Sequence, residues 1–569
     1  MQNINIYQIF TRLYGACSPA KNKVNGSIAD NGVAKFNDFT AEKLQRIKDY
    51  GFSHVWFTGV LEHATQTDYS KFGIRQDHPW IVKGKAGSPY AIKDYFDVDP
   101  DLAEDVSQRM AEFEALVART HKAGLKFVLD FVPNHVARGY RSDVIPKGFE
   151  DLGAEDDDEM SFSSHNNYYY CWGEPLHTEN FVAEGQSGVP YLEHPAKATG
   201  NDVFHAWPNR NDWFETIKLN YGVDYNGGGA QHFDPIPSTW HKMTKILLFW
   251  AAKGVDAFRC DMAEMVPVEF WHYAIKQVKE KYDVEFIAEV YNPNEYRNYI
   301  HNGGFDYLYD KVGLYDTLRA VICQHAPASS ITQAWQNTDD IKDNMLYFLE
   351  NHDEQRIASD FFCGDAHKAI PAVVVAACMH TNPLMIYAGQ EIGERGMDAE
   401  GFSGLDGRTT IFDYWCVDSL KKLASISTST RSKYTAEKQL STNELSLYKD
   451  YERILQLRRD NKALTKGLFY DLMYVNYDGA EGFDAQRQYA FLRRAEGEIL
   501  LCVANFSDNP STCGVRIPAH AFEFLSLPCG QYTGVDLLSG ASTTITLAPD
   551  GYTHIKVDAH RAILLSVKS

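Results

Sequence analysis

The chain has 569 residues, with 44% apolar and 13% aromatic side chains. This is enough to bury more than one core, which excludes a disordered chain, a collagen-like chain and a minimal scaffold. Its 33 Tyr and 10 Trp pair an apolar body with a polar edge and suit carbohydrate or peptide surfaces. With 55 Lys and Arg against 76 Asp and Glu, the net charge of −21 repels phosphate backbones and argues against a nucleic-acid partner.

One unit then recurs along the chain: an amphipathic helix, a glycine, and a short apolar strand. After a first strand, INIYQIF, the segment TAEKLQRIKDY places Leu44, Ile47 and Tyr50 on one helical face. Gly51 ends that helix and HVWFTGV follows. The next helix carries Met110, Phe113, Leu116 and Val117, with Gly124 before KFVLDFV. A third carries Trp240, Met243, Ile246, Leu247 and Trp250, with Gly254 before DAFRCDM. A fourth, Phe270 to Lys281, leads into EFIAEV. FDYLYD, MLYFLEN and PLMIYAG complete eight strand candidates. The strands are continuously apolar, as when both faces are buried. Eight such units predict a closed (β/α)8 TIM barrel rather than an open doubly wound sheet. No G-x-G-x-x-G follows the first strand, which argues against a dinucleotide fold. The last barrel helix is expected in STNELSLYKDYERILQLRRDNKAL, where Ser441 and Glu444 form a capping box and Leu447, Tyr451, Ile454 and Leu455 the buried face.

Two regions break the rhythm. About a hundred residues rich in Asn, Tyr, Gly and Asp separate KFVLDFV from the helix at Trp240, too many for a simple connection. They predict an inserted domain after strand 3, with EDDDE (155–159) as a solvated loop. Beyond Gly467, short runs such as QYAFLRRA, ILLCVANFS, YTHIKV and RAILLSV predict a C-terminal antiparallel β domain, sandwich-like. The expected division is 1–135 with 216–467 for the barrel, 136–215 for the insertion and 468–569 for the β domain.

No run of 18 apolar residues exists, and the stretch near Ile370 to Met379 is too short to span a bilayer. No signal peptide is visible, which predicts a cytoplasmic location, or a secreted or periplasmic one if a leader has been removed. The ten cysteines form no C-x-x-C pair, so zinc and thioredoxin chemistry are not expected; Cys502 and Cys513 are spaced so that they could pair.

In such a barrel, polar residues at the C-terminal ends of strands face the active site. Strand 3 ends in Asp130, Asn134 and His135; strand 4 in Arg259 and Asp261; strand 5 in Glu289; strand 7 in His352 and Asp353. One charged residue at a strand end reads as a structural ion pair, but four strands ending this way do not. Cleaving a glycosidic bond takes an acid to protonate the leaving oxygen and a carboxylate on the other side of the sugar. Asp261, two residues after Arg259, fits the ionised nucleophile, because a guanidinium favours the charged form. Glu289, in the apolar frame FIAEV, fits the acid, because desolvation favours the protonated carboxyl.

These segments resemble the four sequence regions of the α-amylase family, glycoside hydrolase family 13. DFVPNH is similar to the first, GVDAFRCD to the second, EFIAEV to the third and ENHD to the fourth, with a weaker fifth in IKLN ending at Asn220. The resemblance implies Asp261 as nucleophile, Glu289 as general acid/base and Asp353 as a third carboxylate gripping sugar hydroxyls. It implies Arg259, His135 and His352 around the subsite of cleavage, and Tyr90 stacked on that sugar. It further implies net retention by double displacement, with carboxyl groups about 5–5.5 Å apart. The expected function is a retaining α-glucan hydrolase cleaving α-1,4 bonds in starch, glycogen or maltodextrins. An α-glucanotransferase or α-glucosidase with the same residues is the alternative, and a catalytically silent glucan-binding relative a further one. The resemblance also implies a structural calcium held by Asn134, with Asp202 and Asp212 as further candidates; a backbone-satisfied Asn134 is the competing reading. Two departures stand out. Glu264 and Met265 occupy positions where many α-amylases carry Lys-His, and Ala91 follows Tyr90 where many exo-acting α-glucosidases carry Asp.

Overall fold

The computed structural model describes residues 3–18, 21–182, 188–429 and 432–568. Eight parallel strands form its centre: β1 (Asn5–Phe10), β2 (His54–Thr58), β3 (Lys126–Phe131), β4 (Ala257–Cys260), β5 (Glu285–Ala288), β6 (Tyr307–Tyr309), β7 (Met345–Leu346) and β8 (Leu384–Tyr387). Successive strands are neighbours, and β8 pairs with β1. A bridge between Tyr347 and Leu384 joins β7 to β8 and closes the cylinder. Each strand lies within one of the eight runs expected from the sequence.

The barrel interior follows from the two-residue period of a strand. Ile6, Trp56, Val128, Ala257, Ile287, Tyr309, Leu346 and Met385, one from each strand, make an apolar cluster of their own. Two residues further on, the same faces carry Gln8, Thr58, Asp130, Arg259 and Glu289. The polar residues at the strand ends thus continue the inner face of the barrel. The alternate residues Phe258 and Cys260 pack in the outer core, against the helices.

The main helices are α1 (Ala41–Tyr50), α2 (Arg109–Lys122), α3 (Ser238–Ala252), α4 (Val268–Lys279), α5 (Ile370–Cys378) and α6 (Thr442–Asp460). In α1, the Thr40 side chain caps the Lys43 N–H, and Gly51 at φ 124° ends the helix in a conformation that a side chain would strain. α6 begins with the expected capping box of Ser441 and Glu444. α5 is buried on every side because it lies between α6 and the C-terminal strands. This accounts for the apolar run at Ile370. No helix among the described residues is long and apolar enough to cross a membrane.

Between β3 and α3 the chain forms short antiparallel pairs, among them His135–Ala137 with Thr216–Lys218. They surround a small core of Leu176, Phe181, Ala196, Ala206 and Phe214. In EDDDE four residues are exposed, but Asp156 turns inward and accepts from the Asn167 and Tyr168 N–H groups and the Tyr170 hydroxyl. The C-terminal strands are β9 (Leu468–Asp471), β10 (Gln488–Ala495), β11 (Glu498–Asn505), β12 (Ser511–Ile517), β13 (Gly530–Asp536), β14 (Ser542–Leu547), β15 (Gly551–Val557) and β16 (Arg561–Lys568). Six form an antiparallel sheet in the order β9-β10-β11-β16-β13-β14, and β12 pairs with β15. All ten cysteines are free; Cys502 lies on β11 and Cys513 on β12.

Candidate active site

Arg259 organises the rim of the barrel. It is fully buried, and its guanidinium lies 5.2 Å from the Trp56 ring, 5.4 Å from Tyr90 and 5.5 Å from Tyr309. Nη1 donates to Asp261 Oδ1 at 2.8 Å and to Asp130 Oδ1 at 3.3 Å. Nη2 pairs with Glu289 Oε2 at 2.8 Å. One planar fork therefore brings together side chains from the ends of β3, β4 and β5. Asp130 also accepts from Trp56 Nε1 at 2.9 Å. Burial pushes the Asp130 carboxyl up to about 6, against the pull of Arg259. Burial likewise pushes Asp261 above the usual carboxylate range, with Glu289 and Asp130 adding to the rise and Arg259 opposing it. The guanidinium does not win outright at Asp261, as the sequence alone implied.

Glu289 is held differently from expectation too. Its apolar frame does bury it, but three donors face it: Arg259, the Met262 N–H at 2.8 Å and the Tyr291 hydroxyl at 2.5 Å. Met262 reaches this position with φ 43°, a left-handed conformation uncommon for a non-glycine residue. Glu264, where the resemblance anticipates Lys, accepts the Tyr291 and Asn292 N–H groups at 2.9 and 3.0 Å and ties the β4 loop to the β5 loop.

His352 Nδ1 lies 2.7 Å from Gln8 Nε2, which leaves Nε2 as the protonated nitrogen, 2.5 Å from the Tyr90 hydroxyl and 3.1 Å from Asp353 Oδ2. Burial holds this imidazole well below its ordinary value, so it is neutral. Tyr90 stacks on it, with ring centres 5.2 Å apart. Burial, then the nearby Lys218, push His135 down to about 3. Trp213 leans on the His135 ring at 5.2 Å.

Tyr90, His135, Asp261, Glu289 and Asp353 line one cavity of about 370 Å³, together with Lys83, Trp213, Tyr291 and Phe412. Asp353 also faces an adjoining hollow that contains His352 and Arg408. Arg259 and Asn134 do not line this cavity: Arg259 contacts it through Asp261 and Glu289, and Asn134 through His135. A larger cavity of about 570 Å³, where α6 meets the C-terminal strands, is also lined by three carboxylates, Asp450, Asp536 and Asp558, but Asp450 pairs with Arg561 and Asp536 accepts the Leu538 and Ser539 N–H groups. Volume alone does not locate the chemistry. Sequence reasoning missed Tyr291, Trp213 and Gln8. Tyr291 had one signal, since it stands two residues beyond Glu289.

Calcium at Asn134 does not fit these residues. The Asn134 carboxamide oxygen accepts from Lys218 Nζ at 2.8 Å, and Asp202 pairs with the same ammonium at 2.6 Å. Asp212 is turned to the Asn209 N–H and the Asn201 amide. Among the described residues, no group of three or more His, Cys, Asp or Glu side chains could hold a metal ion.

A parallel barrel whose rim cavity gathers Asp261, Glu289 and Asp353, with a fourth carboxylate, Glu215, paired to Lys83, is the plan of a glycoside hydrolase. The comparisons agree. The family model described as alpha amylase, catalytic domain, matches residues 38–467, and the chain belongs to that family of α-glucan-acting enzymes. Alpha-amylase 3 of Dictyoglomus thermophilum is 24% identical over 490 residues, 82% of this chain and 79% of that protein. Alpha-amylase MalA of Haloarcula japonica is 23% identical over 516 residues, 89% of this chain and 58% of that protein. An alpha-amylase of Geobacillus thermoleovorans, solved with acarbose, superposes with a TM-score of 0.61 at 16% identity, over 100% of this chain and 98% of that one, which establishes a shared fold.

Proposed function

We propose that the protein cleaves α-1,4-glucosidic bonds of starch-, glycogen- or maltodextrin-like glucans with retention of configuration. The observation that carries this is the shared cavity of Asp261, Glu289 and Asp353. Asp261 attacks the anomeric carbon while Glu289 protonates the departing glycosidic oxygen. Glu289 then takes a proton from the water that releases the glycosyl group from Asp261. The Met262 N–H, the Tyr291 hydroxyl and Arg259 stabilise the Glu289 carboxylate left after proton donation. In this reading Asp353 and the neutral His135 bind hydroxyls of the same sugar, His352 supports Tyr90 and Asp353 from the adjoining hollow, and Tyr90 packs against the sugar face. The acarbose-bound relative supports a glucan ligand.

Glycosyl transfer to a second sugar is the other reading. It is favoured by Trp213 and Tyr291 on the cavity wall, since aromatic faces can hold an acceptor sugar in preference to water. Time-resolved products from maltoheptaose separate the two. Shorter maltooligosaccharides alone are expected, and early chains longer than seven units would overturn hydrolysis in favour of transfer. Asp261→Asn should abolish turnover by about 10⁴-fold or more with the fold intact. Wild-type rates would remove Asp261 from the mechanism.

A further inference from the structure

Lys218 is a buried cation with no part in the reaction as derived. It ends the short strand Thr216–Lys218, directly opposite His135 on the paired strand. Its side chain is only 1% exposed. The ammonium donates to Asn134 Oδ1 at 2.8 Å and pairs with Asp202 Oδ1 at 2.6 Å. It also lies 5.2 Å from the Tyr225 ring. Asp202 stands in a left-handed turn at φ 65°, one of the few places where a short carboxylate side chain tolerates that conformation. A lone buried ammonium would be costly, but this one has an ion-pair partner, a carboxamide oxygen and an aromatic face.

The arrangement does what a bound cation would do. It draws together an oxygen from the end of β3 and an oxygen from the inserted segment. A divalent ion between Asn134 Oδ1 and Asp202 Oδ1 would sit in contact with the ammonium and be repelled by it.

Lys218 also determines the orientation of its neighbours. An ammonium has donors only, so Asn134 must present its oxygen to Lys218. Its amide group then faces the other way, 2.8 Å from the Gly200 carbonyl and 3.1 Å from His135 Nδ1. Nδ1 therefore accepts, and the imidazole carries its hydrogen on Nε2, where the Tyr90 carbonyl accepts it until a sugar oxygen in the cavity competes for it.

We infer that Lys218 is a built-in cation that takes the place of a structural metal between the barrel rim and the inserted segment, and that through Asn134 it sets His135 as a hydrogen-bond donor to the substrate. Lys218 is thus a positioning residue. The second half rests on the reading of His135 as a substrate contact; the first half does not.

Melting of the wild-type protein tests the first half. Neither EDTA nor added calcium should move the transition. A fall on chelation, or a rise with calcium, overturns the metal replacement whatever becomes of His135. Lys218→Met should lower the melting temperature, while Lys218→Arg, which keeps the charge, should recover most of the loss. Equal loss in both would refute the role of the charge. A double-mutant cycle on kcat/KM tests the second half. Lys218→Met should cost about tenfold, the value of one lost hydrogen bond, and add little once His135→Ala is present. Independent, multiplying losses would show that Lys218 does not act through His135. If Lys218→Met fails to fold, the same cycle is read with Asn134→Leu in its place, and the chelation result stands alone for the first half.

Discussion

An ionised group taken from water into a protein core costs several kcal/mol unless it is paired, and the strand ends of this barrel carry several. Arg259 makes them tolerable together, by meeting Asp130, Asp261 and Glu289 with one guanidinium. The balance differs from side chain to side chain. Burial and carboxylate neighbours raise Asp261, so the form required for attack is reached only above the ordinary aspartate range. The acid limb of kcat/KM is therefore expected above pH ~4, with activity lost as pH falls through it and Asp261 gains its proton. A pH–rate profile whose acid limb lies at or below that value would contradict the burial argument. Glu289→Gln should slow natural glucans far more than substrates with good leaving groups, about 10²–10⁴-fold against a much smaller loss, because only the former need protonation. Equal losses in paired kinetics would remove Glu289 from the acid role. At this scale the sequence is legible where a charged residue breaks an apolar strand, as at Arg259, Asp261 and Glu289. Lys218 was not legible, because in TIKLN it reads as an ordinary alternating charge. Its burial depends on Asp202, which folds back from sixteen residues earlier. Met262 was hidden for a related reason, since it meets Glu289 with its backbone N–H from a left-handed turn at φ 43°.

At the scale of elements, α1, α2, α3 and α6 could be read because their apolar faces repeat at three and four residues and their ends carry glycine or a cap, whereas α5, buried on every side, offers no such face. α6 illustrates this most fully, with the capping box and the faces Leu447, Tyr451, Ile454 and Leu455 all as the pattern predicts. Ser441→Ala should cost about 1 kcal/mol, the usual value of a lost N-cap, measured as a shift in the denaturant midpoint. No change would mean that the first turn of α6 is held by packing alone. The inserted segment was legible only as a break in rhythm. Its strands are two or three residues long, and much of its backbone is satisfied by side chains. Arg138, for example, donates to the Phe214 and Thr216 carbonyls while pairing with Glu193. No periodicity announces such a fold. The half-buried Phe402, from the loop after β8, packs on the small core of this segment, with Arg210 over its ring at 5.2 Å. The insertion and the β8 loop thus grip each other beside the cavity.

At the scale of the molecule, the long cylinder explains how residues nearly a hundred positions apart can act on one sugar. Asp261, Glu289 and Asp353 belong to the ends of β4, β5 and the segment after β7, and the closed hydrogen-bonded ring leaves those ends no alternative but to converge. The C-terminal sheet packs on α5 through β11 and β16, and α5 packs in turn on α6. The most direct test of convergence is the stereochemistry of the first product, followed by proton NMR on a maltooligosaccharide before mutarotation. Two carboxyl groups flanking one anomeric centre for double displacement predict release of the α-anomer. Initial appearance of the β-anomer would contradict the account at its centre.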